Sequence, residues 1–310
     1  MKKKKKKGII VTNLEYFAVL FTIRFIQALP LKTAFSFSRL VMKILYRFDT
    51  LHSIRTVQHI MHAGVANNRE DAKKLAMENY FHFGKVLVEI FKMHQFINRE
   101  NFRDHIKLNC SPETYDYLVG HPKQVILVTA HCGNWEVAGM CYTLLSHIPL
   151  LSVKRPFYNK KIGDLVFRER ESYLHSGCEK KGAIKAMLGA LKRGESIAIV
   201  ADQHASTSEG VESVFFGHPA RTHASPARLH LKSGVPIVVS ITRRVDDNFH
   251  FEYVIKDPIF FKPTGNRDED TKEITQIYTT QLQELISQYP EQWLWAHRRW
   301  LDINRTKNKR

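Results

Sequence analysis

Two residues of the short block HCGNWE, His131 and Glu136, have the side chains and the spacing for proton transfer. The apolar run 125–128, rich in β-branched residues, ends two residues before the block and predicts a buried strand. His131 would then lie at the carboxyl end of a strand, where open α/β sheets bind their ligands. If Glu136 lies in the first turn of the next helix, its carboxylate can orient the imidazole, and the other ring nitrogen can take a proton from a hydroxyl.

Further polar side chains follow two other predicted strands. Arg155 follows the short strand 150–153, and a guanidinium there could hold a phosphate or polarise an oxyanion; a solvated loop arginine is the alternative. Asn159 could orient a carbonyl or cap the next helix. Asp202 follows the buried strand 196–200, although an aspartate at a strand end can also cap a turn. The sequence therefore places several candidate groups at one end of a sheet.

The chain begins with a basic segment and continues with an apolar one. Of the formal net charge of +17, six positive charges stand at residues 2–7. The apolar stretch 8–29 has about the ~20 residues that cross a bilayer, but Glu15 and Arg24 interrupt it. Residues 28–30 make a poor cleavage site. We expect an uncleaved helix, inserted in the membrane or lying in its interface, with the lysines on the cytoplasmic side and attracted to anionic lipid.

The cysteines and histidines indicate neither disulfides nor a metal site. The four cysteines form no C-x-x-C pair and suit a reducing compartment. The histidines show no metal-binding spacing, and the pair His59 and His62 is typical of packing or surface positions. Cys132 adjoins His131 and could be taken for a nucleophile, but no second base is evident for it. We expect no metal and no cofactor.

Helical and strand patterns alternate from residue 33 to residue 300. The predicted helices are residues 33–63, 68–91, 137–146, 159–174, 182–192, 224–232 and 274–287. The predicted strands are residues 125–128, 150–153, 196–200, 237–241 and, as an edge strand, 249–255. This alternation favours a single α/β domain with a largely parallel or mixed central sheet flanked by helices. We divide the chain into a basic tail and membrane-anchoring helix, 1–32, and an α/β domain, 33–310.

Five sequence blocks, taken in order, resemble the late lipid A acyltransferases of Gram-negative bacteria, the lauroyl/myristoyl transferases. The wider lysophospholipid acyltransferase superfamily has H-x4-D where this chain has H-x4-E. The blocks are HCGNWE (131–136), RPFYN (155–159), DQH (202–204), FFGHPART (215–222) and WLWAHRRW (293–300). The family commonly has an aspartate where this chain has His204, which leaves the role of that position open. The last block could lie at a membrane interface or hold an acidic partner.

The resemblance implies a glycerol-phosphate-acyltransferase-like fold and O-acyl transfer without a covalent acyl-enzyme. The donor would be an acyl carrier protein thioester, or coenzyme A, and the acceptor a hydroxyl of an anionic membrane glycolipid, a lipid A precursor. The reaction would take place at the cytoplasmic face of the inner membrane. His131 would be the general base and Glu136 its partner. The residues expected to bind substrate are Arg155, Asn159, Arg170 and Asp202.

Other function classes stay open at this point. A pI of about 9.7 is compatible with nucleic-acid binding, but no basic helix interleaved with aromatic residues and no zinc finger is present, and much of the charge excess lies in the tail. We therefore expect no nucleic-acid partner. A non-catalytic membrane-surface protein and an acyltransferase for another glycolipid or phospholipid are the remaining alternatives.

Overall fold

A seven-stranded, mostly parallel sheet forms the centre of the fold. The structure is a computed structural model that describes residues 8–154, 157–171 and 173–301, with only the backbone for residues 167–171. The strands are β1 (Ile106–Asn109), β2 (Ile126–Thr129), β3 (Leu150–Lys154), β4 (His175–Glu179), β5 (Ser196–Val200), β6 (Gly210–Phe215), β7 (His218–His223), β8 (Ile237–Arg244) and β9 (Phe251–Ile255).

Helices cover the sheet and precede it in the chain. They are α1 (Ile9–Ala28), α2 (Leu31–Phe48), α3 (Thr50–His62), α4 (Arg69–Phe96), α5 (Phe102–His105), α6 (Pro112–Tyr115), α7 (Trp135–Ser146), α8 (Lys160–Glu171), α9 (Ala183–Lys192), α10 (Ser225–Ser233) and α11 (Arg267–Gln288). Side-chain caps fix several of their starts. Asn68 accepts from the backbone of residues 70 and 71 at the start of α4, and Asn134 does the same for α7.

The strand order is β1-β9-β8-β2-β5-β3-β4, in which only the β8–β9 pair is antiparallel. The predicted α/β fold with a largely parallel central sheet is therefore confirmed. Strand β2 is central, and its side chains are buried on both faces: Ile126 and Val128 join one hydrophobic cluster and Leu127 the other. This two-sided burial explains why the run is apolar throughout, as parallel strands covered by helices usually are.

Several predicted elements differ from those observed. The predicted helix 33–63 is two helices, because Asp49 ends α2 and then caps α3. Strand β9 was expected at an edge, which is wrong: it lies between β1 and β8, and all five of its residues are buried. Its polar Glu252 is held by Arg243 of β8 and Asn109 of β1, which explains how an alternating pattern fits an interior strand.

The N-terminal helix α1 has the length and apolarity of a membrane span. Among the described residues it is the one helix that is both long enough and apolar enough, with a mean hydropathy of 1.7. Only 11% of its apolar stretch is buried inside the fold. Residues 2–7, to which the sequence assigned membrane attraction, lie outside the described residues.

The closing segment 293–300 is buried in the fold. Trp293, Trp295, Trp300 and Arg299 are each at most 4% exposed. The rings of Trp293 and Trp300 pack on Phe215 of β6, and the Arg299 guanidinium lies 4.5 Å from the Phe215 ring centre. These buried side chains are therefore not positioned at a membrane interface, one of the two expectations for this block, and Phe215 packs in the core with them.

Candidate active site

The register of β2 and β5 brings His131 and Asp202 together. These parallel neighbours pair Thr129 with Val200 at their carboxyl ends. His131 and Asp202 each stand two residues beyond this last pair, so the two side chains leave the sheet side by side. The expectation that polar groups meet at this edge follows from the Cα pairing of two adjacent strands.

Asp202 holds His131 through both backbone and ring. Its Oδ2 accepts from the His131 backbone N–H at 2.8 Å, and its Oδ1 lies 2.9 Å from Nδ1 of the ring. The indole N–H of Trp293 donates to Oδ2 at 2.8 Å. An ionised carboxylate only accepts hydrogen bonds, so Nδ1 must carry the proton. The lone pair of the neutral ring is then on Nε2, which is the nitrogen available to act as a base.

The Asp202 carboxylate is ionised although its side chain is fully buried. Burial by itself would raise its pKa, but the charge of His131 and the hydrogen bonds from His131 and Trp293 outweigh that effect and leave the pKa below its usual value. The His131 side chain is 19% exposed. The pair therefore joins a buried, fixed anion to an imidazole that a substrate can reach.

Three further side chains surround the His131 ring. Trp135 and His297 lie with their ring centres 5.0 and 4.8 Å away. The Gln203 amide nitrogen lies 3.5 Å from Nε2 of His131 and 3.0 Å from Nε2 of His297. These three side chains line the site around the His131–Asp202 pair. Gln203 places its amide N–H groups beside the imidazole, and Trp135 provides an aromatic wall.

The turn between His131 and α7 is fixed by backbone hydrogen bonds. Gly133 has φ +62°, and a Cβ there would lie 1.9 Å from the carbonyl oxygen of Thr242, so only glycine fits. The Gly133 N–H donates to the Gln292 carbonyl at 2.9 Å, and the Asn134 N–H donates to that of Thr242 at 2.7 Å. The carbonyl of His131 itself accepts from the Leu294 N–H at 2.9 Å. These contacts leave the turn little freedom to move.

A buried charged network supports the same turn from α4. The Glu89 carboxylate accepts from the Arg244 guanidinium and, at 3.0 Å, from the Asn134 side chain. Arg244 also donates to Nδ1 of His82 at 2.8 Å, so the proton of that ring is on Nε2, which donates to the Gly133 carbonyl at 3.3 Å. Burial and the Arg244 charge hold the pKa of His82 well below its usual value, which keeps the ring neutral. The network thus holds the turn at two successive residues, the Gly133 carbonyl and the Asn134 side chain.

The sequence-predicted residues occupy different places around this site. Glu136 lies in the first turn of α7, as expected, but the carboxylate that contacts the His131 ring within the described residues is that of Asp202. Asp202 was expected to bind substrate, and its burial behind the imidazole suits an orienting role instead. Arg155 and the side chain of Arg170 lie outside the described residues. The catalytic role of Glu136 stays a prediction.

Asn159 connects the loop after β3 to the N-terminal helix. Its side chain is 4% exposed; the amide donates to the Thr12 carbonyl of α1 at 2.7 Å, and its oxygen accepts from the Lys161 N–H at 3.2 Å. The predicted capping of α8 is therefore observed. Its predicted contact with substrate stays untested, and its observed contacts are with α1 and α8.

Cys132 has no exposed surface and packs under the turn. Burial, followed by the charges of Asp202 and Glu291, raises the pKa of its thiol well above the ordinary value. A protonated, inaccessible thiol is a poor nucleophile.

In the part of the chain that the structure describes, no group of three His, Cys, Asp or Glu side chains is placed to hold a metal ion.

The remaining site residues have weaker signals in the sequence. Trp293 and His297 belong to the closing block, which was read as a surface feature, and Gln203 was noted only beside Asp202. Their place around His131 depends on the strand order and on the return of the closing segment 293–300 to this edge of the sheet. The one signal that could have paired His131 with Asp202 is their equal distance, two residues, from the last residue of a buried strand.

Residues 1–302 match the family described as "Bacterial lipid A biosynthesis acyltransferase". The chain belongs to this family. It is therefore an O-acyltransferase of the group that acts in glycolipid and phospholipid synthesis, and the resemblance inferred from five sequence blocks is confirmed. Membership of a family of membrane-associated enzymes also agrees with the apolar helix α1.

Curated proteins and a solved structure with lower similarity to this acyltransferase were also found. The phosphatidylinositol mannoside acyltransferases of two Mycobacterium tuberculosis strains, CDC 1551 / Oshkosh and H37Rv, are each 21% identical over 223 residues, which is 71% of this chain and 68% of theirs. The crystal structure of the 1-acyl-sn-glycerophosphate acyltransferase from Thermotoga maritima is 11% identical, with a TM-score of 0.35, and the match covers 82% of this chain and 98% of that one.

Proposed function

We propose that this enzyme transfers a fatty acyl chain from an acyl carrier protein thioester to a hydroxyl of a lipid A precursor at the cytoplasmic face of the inner membrane. His131 acts as the general base. The observation that supports this role is the hydrogen bond between Nδ1 of His131 and the buried Asp202 carboxylate. It leaves Nε2 to accept a proton and places an anion where the resulting imidazolium needs one.

The reaction needs one deprotonation and one acyl transfer. Nε2 of His131 removes the proton of the acceptor hydroxyl as its oxygen attacks the thioester carbonyl. The carbon–oxygen ester bond forms, the carbon–sulfur bond breaks, and the thiolate leaves and takes up the proton from His131. Because a thioester is already activated, no acyl-enzyme is required. Arg155, Asn159 and Glu136 remain candidates for holding the acceptor and the developing charge.

The charge of the chain suits this choice of substrates. A net charge of +17 attracts an acidic carrier protein, a phosphorylated glycolipid and an anionic membrane surface alike. The phosphatidylinositol mannoside acyltransferases among the relatives favour one second candidate, an acceptor that is another membrane glycolipid. Assays with purified full-length enzyme, comparing a lipid A precursor with a phosphatidylinositol mannoside and an acyl carrier protein with coenzyme A, separate these alternatives.

The mechanism is tested by single and double substitutions. His131→Ala should lower kcat about 10²–10⁴-fold, the usual contribution of a general base. Asp202→Asn keeps the shape of the side chain but favours the wrong ring tautomer, so we expect a loss of the same order. Groups that act as a unit show strongly non-additive losses, so the double variant should be little worse than His131→Ala.

Glu136→Gln, alone and combined with His131→Ala, provides the comparison for the second carboxylate. If Glu136 also works through His131, its loss disappears in the double variant; if it binds substrate independently, the two losses multiply. Circular dichroism confirms that each variant is folded. Full activity of folded His131→Ala enzyme would rule out the proposed base, and multiplying losses for His131 and Asp202 would show that Asp202 does not act through His131.

A further inference from the structure

Helix α1 is attached to the α/β domain near both of its ends. The Thr12 carbonyl accepts from Asn159 at 2.7 Å, and Asn13 accepts from Lys161 at 2.9 Å. Fifteen residues later, Gln27 donates to the Phe91 carbonyl at 2.9 Å. These attachments are separated by ~22 Å of helix, at about 1.5 Å per residue. A helix that crossed the bilayer away from the domain would not keep both.

The two sides of α1 have different surroundings. One side faces the domain and is buried or half-buried, at Thr12, Tyr16, Val19, Ile23 and Ile26. The opposite side is exposed and apolar along its whole length, at Ile10, Leu14, Phe17, Phe21 and Phe25. The spacing of each set is that of a helix face. Apolar residues at such exposures need a partner other than water.

Helix α2 continues this apolar face and adds a row of positive charge. Four of its exposed apolar side chains follow one stripe, Phe37, Leu40, Ile44 and Phe48, and the exposed Leu51 and Ile54 extend it into α3. The rings of Phe25 and Phe37, 5.6 Å apart, join the stripes of α1 and α2. The basic residues of α2 share one flank beside the stripe, at Lys32, Arg39, Lys43 and Arg47, and α2 contains no acidic residue.

We infer that α1, α2 and the start of α3 form one surface that lies on a single leaflet of an anionic membrane, with α1 parallel to the bilayer instead of across it. An apolar stripe flanked by Lys and Arg is the pattern of an interfacial helix, in which the charges meet lipid phosphates. Basic residues stand on both sides of α1, at 2–7 and along α2, so charge bias does not favour placing its ends on opposite faces. The membrane-contacting unit then extends past residue 32 into the segment assigned to the α/β domain.

The orientation of α1 is tested by labelling cysteines introduced at its two ends. Gly8→Cys and Lys32→Cys, each in the full-length chain, are treated with a membrane-impermeant maleimide in sealed vesicles of both orientations, and mass spectrometry identifies the labelled cysteine. We expect both positions to react in the same vesicle orientation. Reaction of the two positions in opposite orientations means that α1 spans the bilayer and overturns the inference. A permeant maleimide confirms that each introduced thiol is reactive.

The contribution of α2 is tested by placing charges on its stripe. Leu40→Glu/Ile44→Glu in the full-length chain should lower the partition coefficient onto vesicles containing phosphatidylglycerol by about tenfold or more, since each side chain otherwise enters an apolar environment. The matched control is Phe260→Glu, which removes an apolar side chain that is 67% exposed and contacts Tyr117, a residue outside these three helices. We expect partition of the control to match that of the unmodified chain.

Two results would contradict the role of α2. Unchanged partition of the Leu40→Glu/Ile44→Glu variant means that α1 alone holds the membrane. A change of oligomeric state in detergent, with unchanged partition, assigns the stripe to a second copy of the chain. Acyl-transfer activity on detergent-dispersed substrate is measured in parallel. Its retention shows that the variant is folded, and neither labelling nor partition depends on His131 acting as the base.

Discussion

At the scale of single residues, the site depends on a division of work between two polar side chains. Asp202 is completely buried and stays charged because His131 and Trp293 donate to it. His131 lies in front of it, partly exposed, with its Nε2 lone pair available. Breaking a buried ion pair by removing one partner is costly, so Asp202 is a poor candidate for direct contact with a changing substrate. In the proposed mechanism the imidazole therefore carries the chemistry and the aspartate orients it.

Cys132 provides a test of this assignment at the neighbouring residue. Its buried thiol has a raised pKa and no access to substrate, so Cys132→Ala should keep kcat within about threefold of the unmodified enzyme. Cys132→Ser should keep the mechanism as well but lose stability by about 1–3 kcal/mol, since it buries a hydroxyl in place of a thiol. Rates and thermal unfolding of both variants are measured side by side.

The opposite result would assign covalent catalysis to this site. A loss in Cys132→Ala as large as that in His131→Ala, together with an acyl-cysteine trapped by mass spectrometry, would replace the direct transfer with a two-step reaction. His131→Ala serves as the reference for a complete loss of the base. Both variants must show the circular dichroism of the unmodified chain for the comparison to apply.

At the scale of helices and strands, the local sequence pattern predicts individual strands but not the order in which they pair. Strands β2 and β5 could be predicted because both are short, apolar and followed by a polar residue. Strand β4, with the sequence HSGCE, carries no apolar alternation; its edge position in the sheet accepts such a sequence, and the predicted helix 159–174 stopped just before it. The pairing of His131 with Asp202 needed the strand order, which no local pattern contains.

The network beneath the turn gives a prediction for α4. Glu89→Gln should lower kcat by roughly 10–100-fold with little change in KM, because the turn that carries His131 and caps α7 loses a fixed acceptor. It should also cost about 3–5 kcal/mol of stability, since the Arg244 guanidinium loses its buried partner. Glu78→Gln on the same helix is the control: Glu78 is exposed, 4.0 Å from Arg39, and should be worth less than about 1 kcal/mol.

A double variant separates positioning from stability. Replacing a buried ion pair by apolar residues is often neutral for stability, so Glu89→Leu/Arg244→Met should regain much of the unfolding free energy lost in Glu89→Gln. The Asn134 side chain still lacks its acceptor in that variant, so kcat should stay low. Recovery of kcat together with stability would show that Glu89 supports the fold and does not position the catalytic turn.

At the scale of the whole molecule, helices α3 and α4 meet the closing segment 293–300 behind the candidate active site. His59 and Arg55 of α3 donate to the carbonyls of Trp295 and Ala296, and Asn79 of α4 donates to that of Trp293. The same closing segment donates to Asp202 and to the His131 carbonyl. The sequence marked this aromatic block as important but not as buried, because its burial depends on helices more than 200 residues earlier.

This closure predicts a pH dependence of stability that arises from His59. Burial, opposed by the hydrogen bond to Trp295, lowers the pKa of His59 to about 4 from an ordinary value near 6.5. The folded chain therefore holds His59 neutral where the unfolded chain binds a proton. Its contribution is fully present above about pH 6.5, is lost as the pH falls towards about 4, and amounts to about 3 kcal/mol.

The measurement is the thermal midpoint of the full-length chain in one mild detergent between pH 7.5 and pH 4.5. We expect a fall of roughly 5 °C from the His59 contribution, at about 2 °C per kcal/mol for a large domain. His59→Gln can still donate to the Trp295 carbonyl but does not titrate, so it should start lower at pH 7.5 and fall less. The Asp202 contribution has the depressed pKa of a paired carboxylate and is lost only below about pH 4, outside this range. Parallel curves for the unmodified chain and His59→Gln would mean that another group causes the acid sensitivity and that the junction of α3 with the closing segment does not titrate.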